Sequence, residues 1–257
     1  MLIVVSPAKR LNENPEEQFA LTEPVFQAQA EELAKVARRM SAGEIGKLMK
    51  ISEPLSKLNH ARYRDFGKMA RGAAALMFDG DTYAGLEAKT LDPDEMGWAA
   101  EHLRILSGMY GILRPTDAIE PHRMEMGSRL KNRRGKSLYD FWGDRIAKAL
   151  NEQAVEIGAQ VLINCASEEY FGAVDHAALK LRVVTPVFME AKPQGPKIVG
   201  FFAKKARGAM ARFIIERRLE EVEALKSFDT GGYRFQPEMS EGDRLVFLRE
   251  EAMAAAG

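Results

Sequence analysis

Hydrophobic positions along the chain follow two periods, that of strands and that of helices. Leu2 to Val5 is an unbroken apolar run of strand length, as expected of a strand buried on both faces, and Ser6-Pro7-Ala8-Lys9 ends it. Residues 12–24 are polar and hold Pro15 and Pro24, which predicts a loop. From Phe26 to Met40 apolar residues recur at helical spacing (Phe26, Ala30, Leu33, Ala34, Ala37), and two more helices are expected over residues 43–50 and 53–66. Ala74 to Phe78 reads as a strand, with a turn at Asp79-Gly80-Asp81. Asp92, Pro93 and Glu95 make a capped helix start, and that helix is expected to run to Leu103. Arg104 to Leu113 alternates apolar residues with glycine. A helix over Ser137 to Glu156 would place Leu138, Phe141, Trp142, Ile146 and Leu150 on one face. Strands are expected at Val161–Asn164, Arg182–Met189, Lys197–Phe202, Tyr233–Phe235 and Arg244–Leu248, and a helix over Ala203–Leu219.

Strands and helices alternate irregularly, with no repeat and no linker, so the pattern predicts one mixed α/β (α+β) domain over residues 1–257. Apolar residues are 46% and charged residues 29% of the chain, ordinary globular values. A chain of this size buries roughly three quarters of its unfolded surface and needs no disulfide or metal to hold a core. Cys165 is the only cysteine, which fits a reducing compartment. The start lacks the basic region of a signal peptide, and no apolar run approaches the roughly 18 residues of a membrane helix, so a cytoplasmic protein without membrane association is expected.

The net charge is zero, which argues against a dedicated nucleic-acid binder. Its distribution changes that picture. Residues 96–136 hold eight Lys/Arg against four Asp/Glu, and residues 190–219 eight against two. Residues 1–35 hold three against six, and residues 220–257 four against nine. A neutral chain can fold so that its basic stretches line one cleft.

Four segments could carry chemistry. Ser6 and Lys9 follow a strand, where open α/β sheets place their sites, and could hold a phosphate, although a surface turn is the plainer reading. Asn164-Cys165-Ala166-Ser167-Glu168 follows another strand. If the two strands are parallel, Asn164, Ser167 and Glu168 lie beside Ser6 and Lys9; otherwise Ser167 caps a helix and Asn164 closes a turn. The helix from Ala203 carries Lys204, Lys205, Arg207, Arg212 and Arg218 opposite Ala206, Met210, Phe213 and Ile214, and its small residues would let another backbone or a polymer approach. Leu106 to Leu113 holds Gly108 and Gly111 in a turn whose amides could meet a phosphate. The four histidines are scattered and none pairs with Cys165 at ligand spacing, so no metal site is expected, and no glycine-rich nucleotide motif implies a cofactor.

Taken together, Met1–Lys9, His102–Pro115, Glu120–Gly127, Leu138–Gly143, Asn164–Phe171 and Phe202–Arg212 resemble the YaaA peroxide-stress-resistance family, in order and over nearly the whole chain. The resemblance implies a family-specific fold with a helix-hairpin-helix element and a positively charged cleft. It also implies binding to double-stranded DNA and a role in surviving hydrogen peroxide, associated with lowered free iron. It implies no metal site, and no protein partner is evident. On charge, the DNA-contacting candidates are Lys9, Arg104, Ser107, Gly108, Gly111, Arg114, Lys204, Lys205, Arg207 and Arg212. The glycines depart from the hairpin pattern, standing three apart rather than two. The alternative is an enzyme acting on a nucleotide or nucleic acid through Ser6, Lys9, Asn164, Ser167 and Glu168. Binding without catalysis is the expectation, and the lack of ligand clusters disfavours iron sequestration.

Overall fold

The computed structural model describes residues 1–16 and 18–250. The chain starts with β1 (Leu2–Val5), β2 (Arg10–Leu11), α1 (Gln27–Ala37), α2 (Ala42–Met49) and α3 (Glu53–Asp65). Next come β3 (Gly72–Ala73), α4 (Ala74–Met77), β4 (Phe78–Asp79), α5 (Asp81–Leu86) and α6 (Pro93–His102). β5 (Leu103–Ser107), β6 (Gly111–Leu113) and β7 (Ala118–Ile119) lead to α7 (Leu138–Trp142) and α8 (Arg145–Glu156). The last third holds β8 (Val161–Cys165), α9 (Glu168–Phe171), β9 (Arg182–Glu190), α10 (Gly200–Arg217), β10 (Tyr233–Phe235) and β11 (Arg244–Arg249).

Seven strands form one sheet in the order β10-β11-β9-β8-β1-β5-β6. β1, β5, β8, β9 and β11 are parallel, and the edge strands β6 and β10 are antiparallel. A mostly parallel sheet refines the α+β expectation to an α/β architecture. β1 is buried at every position, which is why it reads as a continuous apolar run. Val4 pairs with both Arg104 and Asn164, so these three side chains share one face. Val5, Ile105 and Cys165 share the other. α10 crosses β1, β8 and β9, and α5 lies against α10.

Several local expectations change. Ala74–Met77 is a helical turn and not a strand; this alanine-rich run lacks the β-branched residues that favour strands. Lys197 makes only a single bridge to Glu190, and α10 already begins at Gly200 where a strand was expected. The helix expected over Ser137–Glu156 is broken at Gly143, whose φ of 51° lies in the left-handed region, giving α7 and α8. The cap of α6 is as expected: Asp92 accepts from the Glu95 N–H at 2.8 Å and Glu95 from the Asp92 N–H at 2.9 Å.

Candidate functional site

β1→β5 steps to one side of the sheet and β8→β9→β11 to the other, so the strand order reverses between β1 and β8. The crevice beyond such a reversal is where open α/β sheets hold ligands. Here the chain places Ser6 after β1 and Ser167 after β8. The Ser6 hydroxyl accepts from the Ser167 N–H at 2.9 Å and donates to the Ser167 hydroxyl at 3.3 Å. Tyr83 donates to the Ser6 carbonyl at 3.2 Å and ties α5 to the same corner.

Charged groups gather around this contact. Lys9 is 66% exposed and its Nζ lies 3.3 Å from Glu125 Oε1, which Arg123 Nη2 also holds at 2.9 Å. Arg207 reaches over from α10, close enough to Glu168 and Cys165 to feel both, and burial lowers its pKa. Lys204 Nζ is 3.9 Å from Asp81, and Arg10 pairs with Asp79 at 2.7 Å. Behind the rim, a cavity of about 10 Å³ is lined by Lys9, Ser107, His122, Arg123, Glu125 and Tyr170. That is space for a single water molecule. Glu125 Oε2 is buried there without a partner. Burial pushes the His122 pKa down to about 4 and that of Tyr170 up.

The expected neighbours divide. Ser6, Lys9, Ser167 and Glu168 share the crevice. Asn164 points to the opposite face from Cys165, and its Oδ1 accepts from the Ala166 N–H at 3.0 Å, closing a turn. Ser167 makes no side-chain cap on α9, because its hydroxyl is engaged with Ser6.

Ser107 to Gly111 joins two antiparallel strands, where the resemblance implied a turn between two helices. The segment is buried, and the Ser107 hydroxyl accepts from the N–H groups of Met109 (3.3 Å) and Tyr110 (3.1 Å). A Cβ on Gly108 would lie 2.3 Å from the Met124 carbonyl oxygen, and one on Gly111, whose φ is 70°, would lie 2.6 Å from the Trp142 ring. Both glycines are therefore fixed by internal packing. α2 and α3 are joined by a short turn through a left-handed Lys50 with φ 53°.

The small residues of α10 meet α5. A Cβ on Gly208 would lie 1.8 Å from the Thr82 carbonyl oxygen, and one on Gly85 would lie 2.0 Å from that of Lys205. Arg212 caps α5: its Nη1 donates to the carbonyls of Leu86 (3.2 Å) and Glu87 (3.0 Å) and to the Thr90 hydroxyl (2.6 Å), while Nε pairs with Glu216 at 2.6 Å. Arg104 and Arg114 lie elsewhere, on the face of the sheet toward α8. Among the described residues Arg129, Lys131, Lys136 and Lys205 are exposed and make no ion pair. Gly127, two residues before Arg129, donates its N–H to Glu169 of α9 at 2.9 Å, which places that basic segment beside the crevice. Arg123, Glu125 and His122 were missed as site members. The only sequence signal was their place in the run Glu120–Gly127.

Fold and crevice together define an open, mostly parallel α/β protein with a polar, charge-rich site at the switch point of its sheet. Among the described residues no helix is long and apolar enough to cross a membrane, and no three His, Cys, Asp or Glu side chains come together as a metal site would require. The chain belongs to the family of the peroxide stress protein YaaA, whose model matches residues 1–239. Similar relatives include UPF0246 proteins of Ruegeria pomeroyi, 60% identical over 97% of this chain and 98% of its own length, and of Roseobacter denitrificans, 57% identical over 97% and 98%. A third, from a Jannaschia species, is 56% identical over the full length of both chains.

Proposed function

We propose that the chain acts in peroxide stress by binding double-stranded DNA without sequence preference, along the carboxyl edge of its parallel strands. The observation that carries this reading is the gathering of Lys9, Arg123 and Arg207 around the Ser6–Ser167 contact, with the unpaired cations Lys205 and Arg129 on flanking segments. Surface cations of this kind neutralise phosphates and release counterions. Lys9, Lys204, Lys205 and Arg207 remain as DNA-contacting groups from the charge pattern, and Arg129 and Lys131 join them. Ser107, Gly108, Gly111 and Arg212 act from within the fold, and Arg104 and Arg114 lie away from this surface.

With about five phosphates neutralised, the log–log slope of affinity against salt should be about −4 to −5. Replacing Lys9, Lys205 and Arg129 together by Ala should flatten that slope and leave the melting temperature unchanged. Failure to bind duplex DNA at low salt would sink the proposal.

A second reading is favoured by the Ser6–Ser167 contact itself, which places two hydroxyls and Glu168 where α/β enzymes hold substrate. An enzyme acting on a nucleotide would then use Ser6, Lys9, Ser167 and Glu168. Against it stands the cavity behind them, which has room for one water only. Ser6→Ala and Glu168→Gln separate the readings: peroxide protection falls while DNA affinity holds if the site is catalytic, and neither changes if the cluster only shapes the crevice.

A further inference from the structure

On the face of the sheet away from Cys165, β5, β6 and α8 enclose a pocket of about 220 Å³ lined by Arg104, Arg114, Asp117, Gln153, Glu152 and Glu156, among others. Arg104 is only 5% exposed. Its Nη1 donates to the carbonyls of Ala100 (2.7 Å) and Leu103 (2.8 Å) at the end of α6, which fixes the guanidinium plane. Its Nη2 is buried and has no partner. Buried guanidinium donors are ordinarily satisfied, so an unpaired one on a residue that lines a pocket marks a place for an acceptor.

Arg114 adds a second cation. Among the described residues neither arginine is within ion-pair distance of a carboxylate. Asp117, on the pocket wall, is already engaged: Thr22 donates to its Oδ1 at 2.7 Å and the Arg114 backbone N–H to its Oδ2 at 2.8 Å. Burial and the neighbouring Arg114 charge push the Arg104 pKa down to about 10. Both effects are of the kind a bound anion would relieve. At the mouth stand Glu152 and Glu156, exposed and one helical turn apart on α8.

We propose that this pocket binds a small zwitterion of the amino-acid type, its carboxylate on Arg104 and Arg114 and its ammonium toward Glu152 and Glu156. A planar carboxylate matches the geometry of a fixed guanidinium. The volume lies below the roughly 300–1,000 Å³ of pockets for drug-sized ligands, so the ligand has few heavy atoms. The glutamates at the mouth select against a multiply charged anion such as phosphate, which would meet two like charges on entry. The site is separate from the DNA surface, and its test does not depend on that reading.

The test is titration of the whole protein, by calorimetry and by NMR, with glycine, L-alanine, acetate, ethylamine and inorganic phosphate. A zwitterion should bind tighter than acetate, and ethylamine and phosphate should bind weakest. Arg114→Ala should lower zwitterion affinity about tenfold or more, the loss of a charge-assisted bond, without lowering the melting temperature. Glu152→Gln with Glu156→Gln should weaken zwitterion binding and leave acetate binding intact. Arg104→Met should abolish binding; if that variant does not fold, the Arg114 and glutamate variants still decide the matter. Tighter binding of phosphate than of the zwitterions, or no binding of any probe at millimolar concentration, would overturn the proposal.

Discussion

Replacing Gly208 by Ala probes the close crossing of α5 and α10. The new Cβ would lie 1.8 Å from the Thr82 carbonyl oxygen and 2.8 Å from the Leu86 nitrogen. Both obstacles are backbone, so no side chain can swing aside. Ordinary contact begins at 3.4 Å, and α5 and α10 would have to part by about 1.6 Å, the difference between 3.4 and 1.8 Å. That shift would loosen Leu86, Met210 and Ile214, all fully buried. Overpacking of this kind costs about 1–3 kcal/mol, and a backbone-on-backbone clash belongs at or above the upper end. For a chain of this size about 3 kcal/mol lowers the melting temperature by roughly 6–12 °C. Gly97→Ala is the matched control: it lies exposed inside α6, and its Cβ would meet nothing within 4 Å. Helix propensity and the stiffer unfolded chain should make that variant about 0.5–1 kcal/mol more stable. Both substitutions share the unfolded-state effect, so their difference in urea titrations isolates the clash. A Gly208→Ala protein melting within a degree or two of the wild type would show that α5 does not close the small-residue stripe of α10.

Arg212→Ala should cost about 1–3 kcal/mol by removing the cap of α5, whereas Lys205→Ala should stay within about 0.5 kcal/mol of wild type in stability yet weaken DNA binding. Equal stability of the two variants in chemical denaturation would contradict the division of roles. Burial holds the His122 pKa at about 4, below the 6.5 of an ordinary histidine, so its neutral form contributes full stability above pH 6.5 and loses it as pH falls toward 4. The loss approaches about 3 kcal/mol, and in His122→Asn the slope of stability with pH across that window should flatten. An unchanged slope would refute this account of His122. Cys165 is buried and its pKa is pushed up to about 12, so at neutral pH the native protein should react with neither thiol reagents nor hydrogen peroxide until denatured.

Much of the scaffold was legible because each signal was local. The apolar run of β1, the period of α1 and the cap of α6 each depend on neighbours in sequence. The pairing of Ser6 with Ser167 was conditional on β1 and β8 being parallel, and they are. Short elements were not legible: α4 and α5 have too few residues to show a period, and the Asp79-Gly80-Asp81 turn masked the start of α5. Charge counting saw that Arg104 and Arg212 are basic but not that one is buried on the face of the sheet toward α8 and the other is spent on carbonyls. Glycine spacing likewise could not tell a strand turn packed against Trp142 from a turn presented to a phosphate. Residues Arg123 and Glu125 carried no motif of their own, since their role arises only where the return from β7 passes under Lys9.

The place of β1 in the sheet also bears on how the chain reaches this structure as it is made. Ile3 pairs with Leu103 and Leu2 with Leu162, partners 100 and 160 residues later. At about 5–20 residues per second the ribosome needs on the order of 8–30 s after making β1 before β8 emerges. Through that interval an apolar strand, Leu-Ile-Val-Val, has at least one unpaired edge, and none of the central parallel ladder can close early. Such distant pairing makes folding slow and leaves a nascent chain open to aggregation. The same pairing that builds the crevice thus delays closure of the central sheet, and overproduction should lower the soluble yield before it strains the stability of the finished fold.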